Sequence, residues 1–154
     1  MFFRIFLFVV ILIFGACSIT QTPIKSQSVA ILIKTSNFKF NDVGFIHKYP
    51  NSTNLQIYNS GQNILDLKIK ENICINGACE PPLKFNKMFF GQEYYANLLG
   101  DIIKFEPIFD GVNLNKTNCG FVQNISKFGI KYEVCDNALS FADSKTKIKL
   151  SIMD

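Results

Sequence analysis

The chain of 154 residues contains no tryptophan, one histidine and one arginine, and these shortages restrict what it can do. His47, the only imidazole, has no sequence partner that indicates a Ser-His-Asp triad. The sequence also has no nucleophile elbow, no phosphate-binding glycine loop and no paired acid motif. We therefore expect a protein that is not an enzyme and that holds neither a cofactor nor a metal ion.

Charge is also sparse. Arg4 is the only arginine, and the chain after position 16 holds fifteen lysines against twelve acidic residues, a net charge of +3. No basic run alternates with exposed aromatic residues, so we expect no nucleic-acid partner. The lysines either solvate the surface of strands or help the domain to lie against anionic lipid headgroups.

The N-terminus carries a short apolar run. Arg4 is the single charge among the first fourteen residues, and Gly15-Ala16-Cys17 follows them. A short apolar run, two small residues and a cysteine are typical of a bacterial lipoprotein signal peptide. Residues 1–16 would then be removed, and Cys17 would carry diacylglycerol together with an amide-linked palmitate.

Two other interpretations of this N-terminus fit less well. A transmembrane helix needs about 20 apolar residues, and residues 5–14 are too few. An ordinary secretory signal would place a small residue where Phe14 stands. Because Ser18 rather than aspartate follows Cys17, we expect a lipid-anchored protein of the bacterial outer membrane whose domain faces the periplasm.

The remaining chain divides into two parts. Residues 17–27 are polar and contain Pro23, which predicts a flexible lipidated tether. Residues 28–154 form one β-rich domain, beginning with a β-branched run at residues 29–34. Alternating aromatic residues follow at positions 38–49, where Asn41-Asp42 and Gly44 predict a bend or bulge.

Later strands are marked by alternation and by turn residues. Residues 55–57 and 65–69 alternate around Asn59-Ser60-Gly61, which predicts a hairpin. Four more strands are predicted at residues 120–125, 130–135, 138–142 and 147–153. Turn signals at residues 127–129, 136–137 and 143–145 separate them.

Four cysteines after Cys17 predict two disulfides in an exported protein. Asn76-Gly77 favours a type I′ turn, which would place Cys74 opposite Cys79 at a non-hydrogen-bonded position. We favour a disulfide over a metal site there because no histidine is near. Cys119 and Cys135 are equidistant from Lys127, so a hairpin centred at that lysine would bring them together.

A helix is predicted after Pro81-Pro82 end the first sheet region. From Gln92 to Lys104, apolar residues recur at helical spacing and make one stripe. The helix either covers a packed core or caps a cavity and can shift. The eleven phenylalanines outside the signal peptide allow the same two interpretations, a filled core or an apolar cavity.

Several stretches resemble the LolA/LolB family of lipoprotein-sorting proteins: residues 55–61 with 64–69, Leu98-Leu-Gly100 through Pro107, Gly120-Phe121 before Ile130-Lys-Tyr132, and Lys147–Met153. The resemblance implies a mainly β fold with a helical insert, an antiparallel half-open β-barrel capped by a helix over a hydrophobic cavity. We expect this cavity to be lined by Phe38, Phe40, Leu55, Ile57, Leu65, Leu67, Tyr94, Leu98 and Ile102.

The resemblance also implies a function. The protein would bind acyl chains or lipoprotein cargo in a sorting or localisation role, with a periplasmic carrier as a partner. Burial of each acyl methylene would contribute about 0.8 kcal/mol. The alternative is a structural or interaction lipoprotein with a filled core, such as an envelope assembly factor or an adhesin.

Overall fold

The computed structural model describes residues 22–153. The predicted signal peptide, the lipidation site at Cys17 and the first part of the tether lie outside these residues. The described strands are β1 Lys25–Lys34, β2 Lys39–Tyr49, β3 Ser52–Asn59, β4 Gln62–Ile69, β5 Ile73–Ile75, β6 Ala78–Glu80, β7 Leu114–Lys116, β8 Gly120–Ile125, β9 Ile130–Cys135, β10 Ala138–Ala142 and β11 Lys147–Met153.

These eleven strands form one antiparallel sheet in the order β6-β5-β4-β3-β2-β1-β11-β10-β9-β8-β7. Strands that follow one another in the chain are neighbours, except β6 and β7 on either side of the helices, and the first strand pairs with the last in the middle of the sheet. The sheet does not close on itself, because β6 and β7 are its two edges. A mainly β fold with a helical insert is confirmed, whereas a half-open barrel stays a prediction.

Local turn chemistry positions several strands as the sequence predicts. β8 to β11 have the predicted bounds. The β3–β4 hairpin turns at Ser60 and Gly61, whose φ angles of 50° and 79° match a type I′ turn. Asn76 and Gly77 do the same between β5 and β6, with φ angles of 49° and 86°.

Of the predicted bend or bulge in β2, the bulge is absent, because the register of β2 with β1 runs without a break from Lys39 to Lys48. The irregularity lies instead between Ile57 and Tyr58 in the β3–β4 pairing. Gly44 serves a different purpose: a Cβ there would overlap the carbonyl oxygen of Gln56 on β3. The glycine therefore permits a close approach of two strands.

The predicted tether of residues 17–27 extends too far. β1 begins at Lys25, which pairs with Lys48 of β2. The backbone N–H of Ile24 already donates to the Lys48 carbonyl at 2.7 Å. Backbone pairing with β2 outweighs the polar composition of this segment, so the described sheet starts before the predicted domain boundary at residue 28.

The helical insert consists of two short helices, α1 Pro82–Phe90 and α2 Leu98–Lys104, so the predicted bounds of Gln92–Lys104 are wrong. Pro82 occupies the first turn of α1, where proline is tolerated because its missing N–H has no partner to lose. Gly91 ends α1 in the left-handed region at φ 75°. Residues 92–97 are a connection.

The core lies between one face of the sheet and these helices. Inward-facing strand residues such as Ile31, Ile57 and Phe141 join Phe90 of α1 and Ile102 of α2 in one buried cluster. We call this face of the sheet the inner face. The opposite face, the outer face, carries the alternate residues of the same strands, and these are mostly exposed.

Candidate functional site

The nine predicted cavity residues come together on the inner face. Seven of them are buried to 3% exposure or less: Leu55, Ile57, Leu65, Leu67, Tyr94, Leu98 and Ile102. Phe38 and Phe40 are partly buried against the same cluster. The structure thus groups the predicted residues in one apolar layer between the sheet and the helices, with Leu98 and Ile102 contributed by α2.

Aromatic rings fill this layer in the conformation described. The Phe89 ring stacks on Phe38 with centroids 5.7 Å apart and on Phe85 at 5.5 Å. The Phe90 ring meets Tyr94 and Phe141 edge to face, each at 5.6 Å. α1 therefore supplies several of the rings that fill this layer.

The C-terminal part of the helical cover is tied to the sheet by buried polar contacts. Gln123 of β8 accepts from the Ile108 N–H at 2.8 Å and donates to the carbonyls of Ile108 and Val112 at 2.9 and 2.8 Å. The Tyr95 hydroxyl donates to Asp101 at 2.7 Å. Buried hydrogen bonds are costly to break, so the Gln123 bonds fix the segment after α2 on the sheet, while the partly buried Tyr95–Asp101 bond joins α2 to the connection before it.

The N-terminal part, α1, is tied to the helical cover by the buried Asn86 and otherwise by exposed polar contacts. Asn37 Nδ2 donates to the Met88 carbonyl at 2.9 Å in an exposed position. The ion pairs of α1 join Lys84 to Glu80 and Lys87 to Glu93 at 2.8 and 3.1 Å, and all four side chains are exposed or half-exposed. Exposed pairs contribute about 0–1 kcal/mol.

Two buried polar atoms in the inner layer lack a hydrogen-bond partner. Asn86 donates through Nδ2 to the Tyr95 carbonyl at 2.8 Å, but its Oδ1 accepts from nothing. The hydroxyl of Tyr132 on β9 is also unpaired. Burial, with the charges of Asp101 and Glu106, raises the Tyr132 pKa, so this hydroxyl stays a neutral donor.

An unpaired buried polar atom costs about 1–3 kcal/mol. The inner layer therefore offers one free acceptor and one free donor among its aromatic rings. Two further buried oxygens without partners, on Asn54 and Thr146, belong to the sheet and its turn. None of these four atoms was anticipated from the sequence, since satisfaction of a polar atom depends on tertiary neighbours.

Both predicted disulfides are present. Cys74 pairs with Cys79 directly across the β5–β6 hairpin. Cys119 is bonded to Cys135. The residue directly opposite Cys135 is Gly120 and not Cys119, so the midpoint of the hairpin lies between Lys127 and Phe128 instead of at Lys127. The four-residue loop of Ser126 to Gly129 causes this shift, and the bridge runs diagonally.

A cluster of potential metal-ligand atoms surrounds the second disulfide. The sulfurs of Cys119 and Cys135 and a carboxylate oxygen of Asp136 lie within 4.8 Å of one another. Because the two sulfurs are bonded to each other, they are not thiolates able to bind a metal. This cluster therefore serves the fold through its disulfide.

The outer face carries an open groove that the sequence analysis missed. It measures about 640 Å³ and crosses strands β2, β1, β11, β10 and β9. Small or apolar side chains make most of its surface, including Ala30, Leu32, Val43 and Ala138. These residues occupy alternate positions of their strands. Their grouping in one groove can be recognised only when the register between the strands is known.

Comparison with protein-family models and with curated protein sequences found no match to this chain. Among residues 22–153, neither helix has the length and apolar character that crossing a bilayer requires. The functional argument therefore depends on the inner layer and the outer face.

Proposed function

We propose that the protein is a lipid-anchored protein of the bacterial cell envelope that binds acyl chains between the inner face of the sheet and α1. The observation that supports this most directly is the aromatic layer contributed by α1. Its rings contact the sheet through apolar surface, and one buried oxygen beneath it, Asn86 Oδ1, has no partner. α1 acts as a lid whose rings leave when a chain enters.

The distribution of polar contacts explains how the lid can move alone. Gln123 holds the segment after α2 on the sheet, whereas α1 is secured by exposed polar contacts and by Asn86. Gly91 lies between the two helices in a conformation that side chains disfavour, and it provides the pivot. Movement of α1 would replace ring–ring contacts by ring–methylene contacts, each methylene contributing about 0.8 kcal/mol.

The free polar atoms suit an acylated ligand. An ester or amide at the head of an acyl chain carries a carbonyl acceptor, which the Tyr132 hydroxyl can serve as donor. An amide N–H can donate to Asn86 Oδ1. The proposed cargo is thus an acyl chain with such a linkage, as in a lipoprotein, in a half-open β-barrel that works in the manner of the LolA/LolB family.

The proposed location of the protein depends on the signal peptide predicted at its N-terminus. Acylation at Cys17 would anchor the protein in the outer membrane with the domain in the periplasm, where a soluble carrier would deliver cargo. The role is binding and transfer without bond chemistry, so the protein is not an enzyme. The two disulfides fit an oxidising compartment.

The filled inner layer also supports a second candidate, an interaction lipoprotein with a permanent core. A binding titration separates the two. The full chain in maltoside micelles is titrated with a palmitoylated fluorescent peptide and with its unacylated form. If α1 opens as a lid, the acylated peptide should bind saturably and the unacylated peptide should not bind. If the core is permanent, neither peptide should bind.

A matched pair of variants locates the binding. Leu98→Glu places an unpaired charge in the dry layer and should abolish binding, compared at equal folded fraction. Leu83→Glu changes an exposed position of α1 and should leave binding intact. Equal loss in both variants, or no loss in either, would contradict a site beneath α1.

A further inference from the structure

A row of lysines crosses the outer face at one end of the sheet. Lys34 of β1 lies directly opposite Lys39 of β2 and directly opposite Lys147 of β11. The row continues through Ala142 of β10 to Lys131 of β9. All four lysines are exposed.

This arrangement is unfavourable to folding. Like charges directly opposite one another on neighbouring strands destabilise a sheet. The ion pairs among residues 22–153 involve Lys84 and Lys87, so no lysine of the row forms an ion pair with a carboxylate of the described residues. A fold that needed only solubility would gain from an acidic residue at position 34, between two lysines.

Few carboxylates lie near the lysine row. Glu133 is exposed on β9, two residues from Lys131 on the same face, so its charge lies beside the β9 end of the row and not beside Lys34, Lys39 and Lys147. Asp42 accepts from the amide of Asn59 at 2.8 Å. Asp143 accepts the Tyr94 hydroxyl and two backbone N–H groups of its own turn. A fifth lysine, Lys149, lines the groove and strengthens the positive charge.

The groove leads to the lysine row. A second depression of about 320 Å³ shares Leu32 and Asn41 with the groove and reaches Lys34 and Lys39. Leu32 and Lys34 are two residues apart on one face of a strand, a separation of about 7 Å. An apolar chain in the groove would therefore end beside the ammonium groups.

We propose that the outer face binds one anionic phospholipid molecule, with an acyl chain in the groove and the phosphate on Lys34, Lys39 and Lys147. Lysine is a common phosphate ligand because its ammonium is a compact charge with three donors. The groove volume falls within the 300–1,000 Å³ that is usual for small-molecule sites. This site lies on the opposite side of the sheet from the acyl-chain site beneath α1 and is independent of it.

The experiment uses the full chain in maltoside micelles with photoreactive phosphatidylglycerol and, separately, photoreactive phosphatidylcholine. After illumination, labelled peptides are mapped by mass spectrometry. The proposal predicts that the anionic lipid labels β1, β10 and β11 and that phosphatidylcholine does so at least fivefold less. Loss of each lysine should lower labelling by about fivefold.

Matched variants define the site. Lys34→Gln with Lys147→Gln removes two charges from the row, and Lys68→Gln removes one from the other end of the outer face. Ala30→Phe fills the groove at an exposed position, with Ala78→Phe on edge strand β6 as its control. The row and groove variants should lose labelling, while both controls keep it.

Three results would overturn the proposal. Equal labelling by the two lipids would remove the role of the lysine row. If inorganic phosphate abolishes labelling while the Ala30→Phe variant is labelled as strongly as the wild type, the outer face is a simple anion site that does not use the groove. Labelling confined to peptides of α1 would refute the outer-face site and would leave the proposed acyl-chain site standing.

Discussion

The ring of Phe89 on α1 stacks on the ring of Phe38, which precedes β2, at a centroid distance of 5.7 Å. This contact joins α1 to the sheet. Close to it, Asn37 donates a hydrogen bond to the carbonyl of Met88 on α1. Phe38 is partly exposed, so the contact lies at the border of the core. If the proposed acyl-chain binding occurs, we expect the chain to separate α1 from the sheet first at this contact.

Phe89→Ala tests whether α1 packs as described. Removing a ring that is 3% exposed should lower the free energy of unfolding by about 3–5 kcal/mol. Urea denaturation followed by circular dichroism measures the change, and Leu83→Ala on the exposed side of α1 is the control. A loss below 1 kcal/mol in Phe89→Ala would show that α1 does not hold its rings in the core.

The disulfides should differ in their contribution. The loop-entropy model gives about 3 kcal/mol for a bridge whose residues are about 15 apart and less for a shorter loop. Cys119 and Cys135 are 16 apart, whereas Cys74 and Cys79 are 5 apart. Replacing both Cys119 and Cys135 by serine should therefore lower stability in urea denaturation more than replacing both Cys74 and Cys79, and the reverse order would refute the entropic account.

The lysine row makes a prediction about stability. Lys34→Glu would place a carboxylate between Lys39 and Lys147 and should raise the free energy of unfolding by about 0.5 kcal/mol at low ionic strength. Screening at 1 M salt should remove the gain. Lys68→Glu, whose neighbours across the strands are Asn54 and Cys74, provides the control. Equal gains at both positions would contradict the like-charge argument.

Asp101 should make stability depend on pH. Burial raises its pKa above the ordinary value of 3.8, although the hydrogen bond from Tyr95 opposes this. A carboxyl whose pKa is raised by folding stabilises the fold most below its unfolded pKa, and this contribution is lost as pH rises through the folded pKa. Relative to Asp101→Asn, the wild type should therefore lose stability as pH rises from 3.8 through that folded pKa.

Denaturation of both proteins across this pH range measures the difference. Asp110→Asn, at an exposed position of the same segment, controls for removal of one negative charge. A constant difference between the wild type and Asp101→Asn, or a wild type that loses stability relative to Asp101→Asn as pH falls, would show that burial does not govern this carboxyl.

Much of the sheet was predictable because its signals are local. Alternation and turn residues such as Asn76-Gly77 and Ser60-Gly61 depend on a few neighbouring positions. α1 was missed because Pro82 was interpreted only as the end of a sheet, although proline also fits the first turn of a helix. Its spacing of Phe85 and Phe89 was a helical signal that could have been used.

The two candidate sites depend on non-local pairing and were predictable only in part. The apolar residues of the inner layer could be named, but the free oxygen of Asn86 could not. Lys34 and Lys147 are neighbours because the first strand pairs with the last. Only the register of β1 with β11 reveals a lysine row, since 112 residues separate the two in the sequence.

Photochemical mapping of an acyl chain tests the central claim most directly. The full chain in maltoside micelles is illuminated with a palmitoylated peptide that carries a photoreactive group near the end of its acyl chain. If α1 acts as a lid, crosslinks should form to α1 and to the inner-face residues of β3 and β4. Unlabelled palmitoylated peptide should compete with these crosslinks, and the Leu98→Glu variant should not form them. Crosslinks that are confined to the outer face, or that the unlabelled peptide fails to compete, would contradict acyl-chain binding beneath α1.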